Sequence, residues 1–157
     1  MEAITALIAV FGTLLGATVS YLFQRRITER ARELDASHRL RQERLDACAA
    51  YASALHNYRR LVVHRWYAHN ERPGVEEVSS LTREVFELRS TAVQAQYRLR
   101  LLTSDAALHG LADRALEAVT ELHDLCLTRA GMDARRDTSR EAIHAFLGAA
   151  TATVATR

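Results

Sequence analysis

The stretch VSSLTREVFELRSTAVQAQYRLRLL, residues 78–102, decides the fold. Within it Val78, Leu81, Val85, Leu88, Ala92, Ala95, Leu99 and Leu102 recur in steps of three and four. That spacing puts them on one face of an α-helix and does not fit the period of two that a strand requires. An apolar seam of this length has to be covered by other helices. The same period continues downstream in Leu108, Leu111, Ala115, Ala118, Leu122 and Leu125, and again in Ile143, Phe146, Leu147, Ala150 and Val154. Upstream it is carried by Leu45, Cys48, Ala52 and Leu55. Asn70-Glu-Arg-Pro-Gly74 supplies a turn, Thr103-Ser104-Asp105 supplies capping side chains, Gly131 a C-terminal stop and Asp133 a start. Helices are thus predicted over about 45–70, 75–103, 105–130 and 134–155. Short connections make neighbours antiparallel, so the fold class is all-α, with an up-and-down bundle of three to four helices at 45–157.

Upstream of the bundle there is no glycine or proline between Gly16 and Pro73. A single long helix is predicted to run through the region. Its first part, AITALIAVFGTLLGATVSYLF at 3–23, carries no charge. At ~1.5 Å rise per residue it reaches roughly 31 Å, the thickness of a bilayer's hydrocarbon core. A transmembrane helix is therefore predicted at 1–24, continuing into an Arg-rich stalk helix at 25–44. No basic residue precedes the span, whereas Arg25, Arg26, Arg30 and Arg32 follow it. The asymmetry predicts a single-pass protein of the cell membrane, with its N-terminus outside and the bundle in the cytoplasm. Those four arginines are the candidates for headgroup contact in the lipid bilayer. Gly12, Gly16 and Ser20 share one helix face, where small residues let two spans approach closely, so they are the candidates for association in the membrane.

The composition narrows the chemistry. All 21 cationic residues are arginine, yet the net charge is only +2, which does not describe a general polyanion binder. Cys48 and Cys126 lack metal-ligand or redox spacing and read as small buried thiols. None of the seven histidines pairs at a helical ligand spacing, and no phosphate loop or nucleophile motif is present. The expectation is a protein that is not an enzyme, with no cofactor and no small-molecule substrate. One cluster stands out: Tyr58-Arg-Arg-Leu-Val-Val-His-Arg-Trp-Tyr67. Arg59, Arg60, Arg65 and Trp66 are candidates for a partner surface, protein or nucleic acid. Against that, Leu61, Val62, Trp66 and the tyrosines would form bundle core with the arginines on the wet side, and this second reading is the favoured one.

Val10-Phe-Gly-Thr-Leu-Leu-Gly-Ala17, Gln24-Arg-Arg26 and Arg41-Gln-Glu-Arg-Leu-Asp-Ala47 give the first third a familiar form. It resembles the small KilB-like membrane proteins of actinobacterial plasmid-spread clusters. The resemblance implies a membrane component associated with the spread of DNA, and it transfers no site residue. Together these features predict a self-associating scaffold or pore-like homo-oligomer. The alternative is a membrane-tethered adaptor whose bundle binds a protein or nucleic-acid partner.

Overall fold

The computed structural model describes the backbone of residues 2–71, 75–125 and 127–155, and the side chains of Tyr21, 35–71, 78–125 and 127–153. Four α-helices occupy it: α1 (Glu2–Asn70), α2 (Val75–Leu102), α3 (Ala106–Thr120) and α4 (Arg129–Ala155). A single 3-10 turn, Glu121–His123, extends α3. Among the described residues there is no strand. The chain divides into two units, 1–40 and 41–157. In the first unit the backbone of α1 is helical throughout. Gly12, Gly16, Ser20, Arg25, Arg26, Arg30 and Arg32 have side chains outside the described residues, as does most of the expected span at 3–23. Among the described residues no helix is long and apolar enough to cross a membrane.

The second unit is a four-helix bundle, and its directions follow from contacts along α1. Arg44 at the beginning of this unit donates its Nε proton to the carbonyl of Leu102 at the end of α2, so these two helices run in opposite directions. Tyr51 and then Tyr58 meet Ala112 and then His123, so α3 runs with α1. Tyr51 packs edge-on to Phe146, while Arg59, further along, bonds Ser139, so α4 runs against it. The order is up, down, up, down.

The core shows which residues fill the seam. In α1 it is Cys48, Tyr51, Leu55, Tyr58 and Val62, all buried and spaced by three and four. The expected series differs: Leu45 is exposed and Ala52 only half-buried. Tyr58 is core, as the favoured reading of the 58–67 run has it, and Tyr51 joins it; both are fully buried because each phenol has a polar partner inside. The Tyr51 hydroxyl donates to the Ala112 carbonyl at 2.7 Å. On α2 the anticipated seam is in place, with Leu81, Val85, Ala92 and Leu99 buried and Val78, Leu88, Ala95 and Leu102 half-buried. Gln96 is buried beside it and donates to Asp113 of α3, which also takes a proton from Arg100. Met132, Ser139, Ile143, Phe146 and Ala150 are the buried positions of α4.

Two boundaries need correction. The third helix was expected to reach about residue 130, but α3 ends at Thr120 and the 3-10 turn closes at His123. The fourth begins at Arg129, not near 134. Its start is set by Thr128, whose hydroxyl accepts the Gly131 amide at 3.1 Å, the usual N-cap bond to the third residue of a helix. Gly131 is thus inside the first turn of α4 and is no stop; Asp133 lies beyond the cap. A Cβ on Gly131 would sit 3.3 Å from the Thr128 hydroxyl, so the glycine leaves room for that bond.

Candidate functional site

The strongest concentration of polar chemistry lies where α3 ends. Helix ends leave carbonyls without intrahelical partners, and a carbonyl end favours positive charge. Here side chains from two other helices supply the donors. Arg65 of α1 donates from Nη2 to the His123 carbonyl at 3.0 Å. Arg135 of α4 donates to the Glu121 carbonyl at 2.8 Å, and Asn70 of α1 to the Leu125 carbonyl at 3.2 Å. The break in α3 is stable because cationic and amide donors converge on it from far along the chain.

His123 is the centre of this group. Its Nε2 lies 2.6 Å from the Tyr58 hydroxyl, with the two rings edge-on. Phe86 of α2 also approaches the imidazole, centroid to centroid 6.3 Å. Burial disfavours the imidazolium, and the nearby Arg65 and Arg89 guanidiniums add to that, pushing its pKa down to about 4. Burial also raises the Tyr58 phenol. At neutral pH both members of this hydrogen-bonded pair are therefore uncharged.

The four candidates for a partner surface separate. Arg60 is exposed. Arg59 is half-buried and spans to α4, donating from Nε to the Ser139 hydroxyl and from Nη2 to the Arg136 carbonyl, each at 3.0 Å. Arg65 is only 5% exposed and Trp66 only 3%. Both are interior residues of the bundle, and Arg65 is not on the wet side where the core reading had put the arginines. The Arg65 Nε and Trp66 Nε1 atoms are buried without a hydrogen-bond partner. Trp66 instead packs its ring edge-on to Tyr67, at 5.1 Å. The arginine cluster of the sequence thus serves mainly as internal bracing between helices.

Sequence reasoning missed Tyr58, Arg89 and His123 as a group. The one available signal was the step of Tyr58 from Leu55 and to Val62, which places a phenol in the seam. Among the described residues no cluster of three or more His, Cys, Asp or Glu side chains could hold a metal ion. Cys48 is buried and free, and Cys126 lies outside the described residues.

A family model described as KilB plasmid transfer protein matches residues 45–154. The match lies on the bundle, the part of the chain to which the resemblance in 10–17, 24–26 and 41–47 extended least. No curated protein and no solved structure matches the chain.

Proposed function

Because the chain belongs to the KilB plasmid transfer protein family, we propose that it is a membrane-anchored, self-associating and non-catalytic component of plasmid transfer. The family match over residues 45–154 is the observation that carries the plasmid-related role. The uncharged run at 3–23 followed by Arg25, Arg26, Arg30 and Arg32 supports an anchor with the bundle on the cytoplasmic side. Gly12, Gly16 and Ser20 are the contact face offered within the membrane.

Self-association of the bundle is supported by the outward face of α2. Phe86 is 59% exposed, Tyr97 61% and Leu101 87%, with half-buried Val93 between them. Large apolar side chains clustered on one exposed face mark a contact surface. We assign it to a second copy of the chain. Glu87 and Arg98 lie along one flank of this face, and they complement each other when two copies of α2 run in opposite directions.

The test is carbonate extraction of membranes, followed by photo-cross-linking of the full chain through a probe at position 97. Amine reagents are unsuitable because the chain has no lysine. A carbonate-resistant chain that cross-links to itself, and loses the product in Leu101→Glu, supports the reading. A chain released from membranes contradicts the anchor; a monomer at every probe position contradicts the assembly.

A further inference from the structure

The geometry points to a binding site for a phosphate monoester at the cluster of Tyr58, Arg65, Arg89 and His123. A buried arginine ordinarily faces a carboxylate, because an uncompensated interior charge is strongly unfavourable. Arg65 is 5% exposed, yet the partner that its guanidinium finds is a backbone carbonyl, and its Nε has none. The carbonyl end of α3 offers about half a unit of negative charge. A second guanidinium, Arg89 of α2, lies close enough to act on both Tyr58 and His123. Among the described residues neither Arg65 nor Arg89 is ion-paired with a carboxylate. The cluster therefore gathers two guanidiniums, a phenol and an imidazole around one spot with too little negative charge to match.

An oxyanion with several acceptor oxygens supplies what is missing. Phosphate brings a charge of about −1.5 to −2 and three strong acceptors, and guanidinium forks bind it with two parallel bonds. Access is along the Arg89 flank of α2, where Arg89 is exposed and His123 is half-buried. The depth of Arg65 selects the form of the ligand. A terminal phosphate can be inserted end-on, whereas a diester would have to carry a substituent inward on each side. Free phosphate, a phosphorylated nucleic-acid end and a phosphatidic acid headgroup share this chemistry.

Binding has a signature beyond affinity. The imidazole of His123 is held neutral beside Arg65 from α1 and Arg89 from α2, with uncharged Tyr58 as its partner and Arg135 of α4 engaged on the neighbouring Glu121 carbonyl. A dianion placed among these groups reverses the local field and draws a proton onto His123.

The experiment uses the full chain in a zwitterionic detergent, with histidine-labelled NMR and thermal unfolding in inorganic phosphate against chloride at equal ionic strength. His123 is identified by its loss in His123→Gln. Phosphate is expected to raise Tm by several degrees at saturation and to raise the His123 pKa. In Arg89→Gln, which alters an exposed side chain, the affinity falls by roughly tenfold or more. Arg60→Gln, exposed and outside the cluster, leaves it unchanged. Competition by a 5′-phosphorylated but not a 5′-hydroxyl oligonucleotide identifies a nucleic-acid end as a source. Competition by phosphatidic acid but not phosphatidylglycerol vesicles identifies a lipid. Equal effects of phosphate and chloride, an unchanged response in Arg89→Gln, or equal competition by diesters and monoesters would each overturn the assignment.

Discussion

The two ends of α3 are closed by opposite means. At its start, Asp105 accepts the amides of Ala107 and Leu108 through one carboxylate oxygen and the Thr153 hydroxyl of α4 through the other. At its finish, Arg135 and Arg65 donate to the carbonyls of Glu121 and His123, and Asn70 to that of Leu125 in the loop just beyond. Anion at the amide end and cations at the carbonyl end both follow the helix dipole. The first closure is chiefly local. The second depends on side chains brought from α1 and α4, so the carbonyl end holds only when the bundle is assembled.

That difference can be broken most severely at Arg65. Arg65→Ala removes the donor to the His123 carbonyl and the aliphatic stem that fills the interior beside it; a loss of about 3 kcal/mol is expected in chemical denaturation. A result near zero would mean that the carbonyl end closes without α1.

Acid separates the two ends by pH window. The His123 pKa lies near 4 in the folded chain, against 6.5 for an ordinary histidine. Between these values the unfolded chain binds more protons, so stability is complete above about 6.5 and falls as pH drops towards 4, by roughly 2 kcal/mol once solvent screening of the half-buried ring is discounted. Asp105 is held below the usual carboxylate value of 3.8, first by its bond from the Leu108 amide and then by that from Thr153. Its contribution is retained above 3.8 and lost only at lower pH. Denaturation curves across pH 3 to 7 in wild type and His123→Gln would show the upper window vanish while the lower one stays.

Smaller effects are expected at the start of α3 and at the surface. Asp105→Ala should lower Tm by about 3 °C, less than Arg65→Ala, because water replaces part of a half-buried cap. Glu71→Gln breaks an ion pair with Arg129 in which both side chains are well exposed. A change in Tm within about 1 °C is expected, and a larger one would mean that the turn before α2 helps to hold the start of α4.

The same contrast explains how much the sequence disclosed. Asp105 was legible as a cap because its amide partners lie two and three residues away. The α2 seam was legible because a helix repeats its own pattern. The end of α3 was not legible, since no breaker occurs at Thr120 and its donors lie far off in the chain. Tyr58 was legible as core within the Tyr58–Tyr67 run, whereas Tyr51 was passed over because a phenol reads as amphipathic until its partner is known. Arg65 looked like a surface charge for the same reason: only the distant His123 carbonyl makes its burial tolerable. The family match likewise lies on 45–154, the bundle, and not on the stretches 10–17 and 24–26 that carried most of the resemblance.

Cys48 carries a practical consequence. Its side chain is 5% exposed in the α1 seam, and burial raises the thiol above its ordinary pKa. Reagents attack the thiolate, so the folded bundle shields this sulfur both sterically and chemically. With Cys126 replaced by serine, the rate at which Cys48 is modified becomes a measure of how often α1 separates from its three neighbours. Added ligands or a second copy of the chain would then register as a slower sulfur.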